Sequence, residues 1–353
     1  MVAADMQEGD RIILCNAEPH WIRAKIYSQY DPDANENNLA YLESKILGKN
    51  VAVFIAGDLH HYRRHAAADG TQKITAGGGG AFLHPTHGQD VDTLMEEDKH
   101  RAVKRTFDLK KSFPDPTTSW WLCWRNLLFP YYNPTFGIVT AILYVLTSWA
   151  VLAPIERLGI HKIGLAAETT LRTALSSPVA AFWGAAMFFG FVLFTDTYSK
   201  LYRWIMGPIH GLIHVIGTFF VGWGAAYLCV SVLGLTFMDI PQLLLSGGLI
   251  FIGGYVIGSI IMGLYLLVSL NVFGRHSNEA FSSLKIPDWK NFLKLRIDAN
   301  DDLTIFPIGI RRVARHWQER PAGATGPELV PDDPKAPPPE LIEPPIPLQC
   351  PTT

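Results

Sequence analysis

The chain has 353 residues, with 30 Lys and Arg side chains against 32 Asp and Glu, and its formal net charge is -2. This balance excludes a globally basic nucleic-acid-binding protein and a strongly acidic tail protein. Charged residues make up 18% of the chain, below the ~25% that is typical of soluble domains. From Pro208 to Phe273 the only acid or base of fixed charge is Asp239. Because so long an uncharged run needs a membrane as its solvent, a wholly soluble enzyme is excluded.

Residues 1–116 have the sequence pattern of a soluble α/β domain. The runs at 11–15 and 51–56 are short and apolar, as in strands, and residues 38–47 between them have helical spacing. The pattern therefore predicts strand, helix, strand, with a further short strand at 73–75. So few strands form a thin sheet with exposed edges, and we expect the region to belong to something larger.

A basic run and an aromatic cluster precede the first long apolar segment. The basic residues lie between Lys99 and Lys111, and several Trp and Tyr residues follow in segment 117–134, which is predicted to lie in the membrane interface. This order is typical of a chain that enters a bilayer from the cytoplasmic side. Four predicted spans then place both termini in the cytoplasm. Within region 135–273 these spans are 135–153, 178–195, 211–236 and 243–273.

After the last apolar segment the chain becomes polar again. Residues 274–319 are predicted to form a small cytoplasmic α/β segment, in which apolar runs at 293–297 and 303–306 flank an acidic stretch as in a hairpin. The acidic stretch lacks the Gly and the distal Glu of an EF-hand loop, so a turn is a simpler interpretation than a calcium site. Residues 320–353 contain 11 prolines, and this composition predicts a disordered tail.

The sharpest cluster of chemistry-bearing residues follows the second predicted strand. That strand ends at Gly57, and Asp58 and His60 come next. Two residues apart on an extended chain, their side chains point the same way. Both are metal-ligand types, and the carboxyl ends of strands are where α/β proteins place their sites. The alternative is a polar turn with exposed histidines.

Four consecutive glycines, Gly77–Gly80, follow the short strand at 73–75. They lack the Lys-Ser/Thr of a P-loop, so we expect them to allow close approach of the backbone to the His60 loop. His84 lies just beyond them and is expected either to hydrogen-bond to a ligand or to be a surface residue.

A second group of polar residues lies in the apolar region. His210 and His214 share one helical face, and Asp196 ends the second predicted span. Ionisable groups inside a membrane are costly and are functional by default. These residues form a possible intramembrane polar site for a metal or a proton, with structural hydrogen bonding as the alternative.

The segment around Asp58 resembles a known family. Gly57-Asp58-Leu59-His60 is similar to the closing Gly-His-x-His motif of the calcineurin-like metallophosphoesterases. Residues 53–62 and 75–87 resemble more closely a bacterial membrane-anchored branch, in which several transmembrane helices and a small segment similar to residues 278–309 follow the phosphoesterase domain. The resemblance implies a multi-pass protein of the bacterial inner (cytoplasmic) membrane. Its fold would be a partial α/β phosphoesterase domain with a sheet and flanking helices, an α-helical transmembrane bundle and a small α/β segment.

In this family two divalent metals, Mn, Mg, Fe or Zn, polarise a phosphate mono- or diester and activate water. By position, His60 corresponds to the second histidine of the motif, and Asp58 stands where the first is expected. His20, just beyond the proline of the preceding motif, is the third candidate ligand. The side chains expected to lie behind the ligands and hydrogen-bond to them are His61, His84 and His87.

The family's upstream Asp-x-His, Gly-Asp and Gly-Asn-His series is missing from residues 1–50. The resemblance therefore implies that the chain begins inside the domain, because of a misassigned start, because it is a fragment, or because the remnant has another role. We expect this chain by itself to be weakly active or inactive. The alternatives are a non-enzymatic membrane protein with a regulatory or binding module, and a transporter that uses the intramembrane histidines. Membrane lipid is an expected partner, and nucleic acid is not.

Overall fold

The computed structural model describes residues 10–26, 34–47, 51–98, 103–152, 160–195, 199–321, 323 and 325–349. The chain divides into two compact units. The sheet unit combines the residues up to Cys123 with those from Asn271 onward, and the helix unit is Trp124–Leu270. The sheet unit is therefore made from both ends of the chain.

Six strands of the sheet unit form one mixed sheet. They are β1 (Ile12–Asn16), β2 (Val51–Ala56), β3 (Tyr62–Ala67), β4 (Gln72–Ala76), β5 (Thr93–Asp98) and β6 (Val103–Phe113). Their spatial order is β1-β2-β4-β3-β6-β5. β1, β2 and β4 run parallel, whereas β3, β6 and β5 are joined by antiparallel pairings. The strands expected near 11–15, 51–56 and 73–75 are all present.

One face of this sheet packs against α1 (His20–Ile26), which α2 (Ala34–Tyr41) and a π-helical turn (Leu42–Leu47) follow in the chain. Trp21 of α1 joins Phe54 and Phe107 in the core on this face. Lys73 is buried there, with its ammonium 4.8 Å from the ring centres of Phe54 and Phe107 and 5.2 Å from that of Trp21. Glu96 forms an ion pair with this ammonium. These contacts offset the cost of burying a charge.

The other face packs against a second sheet, which the C-terminal residues form. It contains β7 (Lys290–Ile297) and β8 (Leu303–Ile310), whereas the next two strands in the chain, β9 (Trp317–Glu319) and β10 (Leu329–Pro331), pair with each other in a separate two-stranded sheet. β11 (Glu340–Leu341) and β12 (Ile346–Leu348) complete the second sheet, in which β7, β11 and β12 all pair with β8. Ile305 and Ile346 share a core with Val53 and Ile74. The unit is thus a sandwich of two sheets with helices on one outer face.

This arrangement differs from the predicted domain boundaries. The sequence indicates a separate segment at 274–319 and a disordered tail at 320–353, whereas both regions contribute strands to the sheet unit. The physical reason is burial, because Ile342 and Ile346 in the proline-rich tail reach the core that covers β2 and β4. Tail composition alone does not reveal that these isolated apolar side chains have a partner surface.

The hairpin expected around residues 298–302 is present as the β7 and β8 pair, in which Ile297 lies opposite Leu303. The Asp298 carboxylate accepts hydrogen bonds from the backbone N–H groups of Asn300, at 2.8 Å, and Asp302, at 3.1 Å. This pattern is a side-chain-capped turn, as the sequence indicates.

The predicted interfacial segment 117–134 consists of short helical pieces. They are α3 (Pro116–Cys123), a 3-10 turn (Trp124–Leu128) and α4 (Phe129–Tyr132). Trp121 and Tyr131 are exposed. The described part of the basic run before it, residues 103–111, lies on β6 and not in a helix that leads into the membrane. Lys99 and Arg101 lie outside the described residues.

The helix unit contains long apolar helices. Three of them are long and apolar enough to cross a membrane, and a bent pair provides up to one more candidate span. In chain order they are α5 (Pro134–Leu152), the bent pair α6 (Ile163–Ser176) and α7 (Pro178–Phe194), and α8 (Lys200–Tyr227), which continues to Val232. The last is α9 (Ile240–Gly253), a π-helical turn (Gly254–Gly258) and α10 (Ser259–Phe273), which together form one 34-residue helix before α11 (Ser277–Ser282).

The bend of 98° between α6 and α7 has a local cause. Pro178 disfavours a helical backbone at Ser177, which is extended, and the Ser177 side chain caps the start of α7. The exposed ion pair of Glu168 with Arg172 makes α6 more polar than α7. The predicted span at 178–195 therefore corresponds to α7, preceded by a helix that the sequence does not indicate.

The third predicted span also differs in its start. The sequence indicates 211–236, because bases precede the apolar run, whereas the helix already begins at Lys200. The helix begins there because the Ser199 side chain caps its first turn, accepting from the N–H of Tyr202 at 3.3 Å.

Candidate functional site

Three loops meet at the carboxyl edge of the parallel strands β1, β2 and β4. The N–H of Gly57, after β2, donates to the carbonyl of Ala17, after β1, at 3.0 Å. The N–H of Gly77, after β4, donates to the carbonyl of His61 at 3.3 Å. The residues at 57–61 therefore lie at the edge where α/β proteins place their sites.

Asp58 and His60 are held in this loop by its backbone. Asp58 has a φ of 56°, in the left-handed region that Asp tolerates better than most residues, and it is exposed. The N–H of Leu59 donates to the carbonyl of Gly57 at 2.7 Å, and the N–H of His61 donates to that of Leu59. The loop is thus tightly turned, with the Asp58 carboxylate open to solvent.

The His60 ring has a defined tautomer. Its Nδ1 lies 2.8 Å from the carbonyl oxygen of Phe82. A carbonyl oxygen only accepts, so Nδ1 carries the proton and Nε2 keeps its lone pair. This is the arrangement of a metal-binding histidine, which donates its other N–H to a carbonyl or carboxylate.

His84 hydrogen-bonds to the backbone of His60 and stacks on its ring. The backbone N–H of His60 donates to Nδ1 of His84 at 2.8 Å, and Nε2 of His84 lies 3.0 Å from Oδ1 of Asn278. Burial lowers the pKa of His84, against the opposing effect of the Asn278 hydrogen bond. Both nitrogens of the neutral ring are used, and the ring stacks on His60 with centres 4.4 Å apart. His84 is therefore fixed as a support and not as a ligand.

The glycines after β4 approach the His60 loop, as expected from the sequence. A Cβ on Gly77 would lie 2.3 Å from the carbonyl oxygen of Leu59, and one on Gly80 would lie 2.1 Å from the His60 ring. Only glycine allows these contacts. A Cβ on Gly79 would meet no atom within 4 Å.

The two other supporting histidines lie deeper in the sheet unit. His61 is buried, and desolvation followed by the charge of Arg63 lowers its pKa well below the usual range. His87 is half-buried, with Nδ1 2.7 Å from the hydroxyl of Ser119, and burial lowers its pKa to about 4. Within the described residues, neither ring hydrogen-bonds to Asp58 or His60.

Arg63 is a buried basic residue that the sequence did not single out. It is 1% exposed, and its Nη2 donates to the carbonyl of Thr86 at 3.2 Å. Burial lowers the pKa of the guanidinium to about 10. Asn278 and the Phe82 carbonyl were also missed as parts of the site, because their proximity to His60 depends on loops that only the fold brings together.

His20 is engaged elsewhere. Its Nε2 lies 3.0 Å from Oε1 of Glu43 and its Nδ1 lies 3.3 Å from the amide of Asn16. Within the described part of the chain, no group of three or more His, Cys, Asp or Glu side chains is placed to hold a metal ion. The structure therefore does not assemble His20 with Asp58 and His60 into a metal site.

In the helix unit, His210 and His214 lie on the buried face of α8, as their spacing predicts. Nδ1 of His214 lies 3.2 Å from the hydroxyl of Tyr144 on α5. Asp196, the third residue of the possible intramembrane site, lies outside the described residues.

No family model, no curated protein and no solved structure matches this chain.

Proposed function

We propose that the protein is a membrane-anchored, metal-dependent phosphoesterase of the calcineurin-like type. The sheet unit would act on phosphate mono- or diesters at the cytoplasmic face of a bacterial inner membrane, to which the helix unit tethers it. The observation that carries the proposal is His60, which lies at the carboxyl edge of the parallel strands with Nδ1–H donated to a carbonyl. Its Nε2 is thereby prepared to bind a metal.

In this proposal His60 would supply an imidazole lone pair, and Asp58 a carboxylate, to a divalent metal. A metal of the Mn, Mg, Fe or Zn type would polarise the ester and make water a nucleophile near neutral pH. The chain's own residues orient the ligand: Phe82 fixes the tautomer, Gly80 admits the ring and His84 holds the backbone. Because two ligands hold an ion weakly, we propose that hydrolysis by this chain alone is slow.

The test separates metal binding from hydrolysis. The full chain in detergent is titrated with Mn²⁺ and assayed with an aryl phosphate ester. His60→Ala should abolish saturable binding, because the prepared imidazole is removed, and Asp58→Asn should weaken it while tolerating the left-handed backbone. His84→Ala should weaken binding by about 10–100-fold. His316→Ala, at an exposed position in the C-terminal segment, is the control and should bind as the unmodified chain does.

Binding that survives His60→Ala, or no binding by the unmodified chain, would refute the assignment of His60. Saturable, His60-dependent binding without any ester hydrolysis would instead favour a regulatory metal-binding module.

A further inference from the structure

The bundle of the helix unit has a polar interior. The buried residues of α8 follow helical spacing and include both imidazoles, His210 at 1% and His214 at 0% exposure. The opposite side of the helix carries exposed Ile209 and Ile216. The apolar side suits lipid, so two imidazoles are concentrated where a membrane helix has no water.

Each imidazole lies flat against an aromatic ring from another helix. His214 stacks on Phe191 of α7 with ring centres 3.5 Å apart and an angle of 3° between the planes. His210 stacks on Tyr265 of α10 at 3.9 Å, also at 3°. The face of an aromatic ring attracts a cation, so either stack would place an imidazolium against a favourable ring face. The stacks therefore suit a site that takes up a proton.

His214 has a nitrogen that is ready for this role. Its Nδ1 shares a hydrogen bond with Tyr144, while its buried Nε2 has no hydrogen-bond partner among the described residues. The Tyr144 hydroxyl can donate or accept, so it can pair with either neutral tautomer of the ring. When Nδ1 donates, Nε2 holds a free lone pair that can take a proton.

A series of hydroxyl groups leads from Tyr265, whose ring stacks on His210, toward the start of α8. The hydroxyl of Tyr265 lies 3.5 Å from that of Tyr202, which in turn hydrogen-bonds to Ser269. Tyr202 is near the start of α8, twelve residues before His214, a separation of ~18 Å along the helix. α5, α7 and α10 carry no Asp, Glu, Lys or Arg. Within the described part of the bundle, Tyr144 hydrogen-bonds to His214 and Tyr265 stacks on His210, so both are titratable groups that face the pair.

We propose that His210 and His214 form a proton-binding site inside the bundle, and that Tyr265, Tyr202 and Ser269 are its access path from the Lys200 end of α8. A proton that enters along the hydroxyls is taken up by the Nε2 lone pair of His214, and the ring returns to neutral by passing its Nδ1 proton to the Tyr144 oxygen as Tyr144 releases its own hydroxyl proton. The helix unit thereby moves protons, an activity separate from that proposed for the sheet unit.

The experiment uses the full chain in liposomes that contain a pH-sensitive dye, with a potassium gradient and valinomycin as the driving force. The unmodified chain should acidify the lumen faster than empty liposomes. His214→Phe, which keeps a flat ring against Phe191, should lower the rate by about tenfold or more because no lone pair remains. Tyr202→Phe should slow uptake without removing the binding site. His161→Phe, exposed in the same unit, is the control and should not change the rate.

A rate equal to that of empty liposomes, or a folded His214→Phe variant that keeps the full rate, would overturn the proposal. Gel filtration shows whether each variant is folded. If His214→Phe does not fold, Tyr144→Phe and Tyr202→Phe decide, because unchanged rates in both would show that the hydroxyl contacts carry no protons.

Discussion

Gly79 and Gly80 are neighbours with different surroundings. A Cβ on Gly80 would lie 2.1 Å from the His60 ring, whereas one on Gly79 would meet nothing within 4 Å. Neither glycine has a positive φ, so alanine is compatible with the backbone at both positions. Alanine substitution at these two positions therefore tests the space available for a side chain, without adding backbone strain at either position.

We predict that Gly80→Ala displaces the His60 ring and lowers the free energy of unfolding by about 1–3 kcal/mol, the usual cost of overpacking. Gly79→Ala should leave stability within about 0.5 kcal/mol. Thermal unfolding of both variants in detergent measures the difference. Equal effects of the two substitutions would contradict the close contact between Gly80 and His60.

Buried histidines should make the sheet unit sensitive to acid. Burial lowers the pKa of His65 and that of His87, each to about 4. The unfolded chain takes up these protons near pH ~6.5, so between that pH and about 4 it holds more protons than the folded chain. The stability that these histidines contribute is therefore complete above pH ~6.5 and is lost as the pH falls through this window.

For His65 the predicted slope is up to about 1.4 kcal/mol of unfolding free energy for each pH unit, and the half-buried His87 adds less. His65→Gln, whose amide can still donate to the carbonyl of Val91, should make the slope shallower by one proton. Thermal unfolding at a series of pH values between about 7.5 and 4.5 measures it. An unchanged slope in His65→Gln, with exposed His316→Gln as the control, would show that His65 is not the titrating group.

At the scale of elements, one carboxylate of the C-terminal tail adds an ion pair with the sheet to the strand pairing and the apolar burial that hold the tail. Oε1 of Glu343 accepts from the Tyr62 hydroxyl at 2.5 Å and from Nε of Arg64 at 2.9 Å, and Oε2 accepts from Nη2 of Arg64. The side chains of Arg64 and Glu343 are 15% and 9% exposed. Removing one partner of such a pair lowers the free energy of unfolding, because the remaining charge stays buried without its partner.

We predict that Glu343→Gln, which preserves shape but leaves Arg64 without its countercharge, lowers the free energy of unfolding by about 2–4 kcal/mol. It should also expose the segment between β10 and β12 to protease, because the strands β11 and β12 are short. Glu328→Gln, at an exposed position in the same tail, should change neither property. A protease pattern equal to that of the unmodified chain would show that the apolar residues hold the tail without the ion pair.

The elements that the sequence predicts best are those whose pattern is local. β2 is a short apolar run, and the Asp298 turn lies between two alternating apolar runs. β3 was not predicted, because it buries Arg63 and His65, and only the loop at 82–92 makes these polar side chains acceptable in the interior. The α6 helix was missed because its polar residues break the apolar run that marks α7.

The candidate site also contains some features that a local pattern predicts and others that depend on tertiary contacts. The position of His60 after a buried strand, and the use of the glycines to approach it, follow from neighbouring residues in the chain. The contact between His84 and Asn278 joins residues separated by 194 positions, and no local pattern encodes it. The pairing of His20 with Glu43 is likewise a tertiary contact, and it occupies a side chain that motif position alone assigns to a metal.

At the scale of the whole molecule, the shared core of the sheet unit limits the number of membrane crossings. Val53 and Ile74 precede the helix unit in the chain, whereas Ile305 and Ile346 follow it, and all four lie in one core. A core cannot be divided by a bilayer, so the chain must leave and return on the same side. We therefore predict an even number of crossings, and not the three unbroken helices alone. With the bent pair α6 and α7 as one span, the number is four.

We predict that the bent pair crosses the membrane, so that Gly164 near the start of α6 and Lys200 at the start of α8 lie on opposite sides. Both positions are exposed. In a background without the native cysteines, Gly164→Cys and Gly234→Cys, the latter after α8, should react with an impermeant maleimide added to intact cells. Lys200→Cys and Gly79→Cys should react only after the membrane is opened, because they share the side of the sheet unit. Labelling of the α6 and α8 positions from the same side would mean that the bent pair returns to the face it entered. The even number would then require one of the three long helices to stay out of the membrane, although its apolar length of at least ~18 residues suits a span.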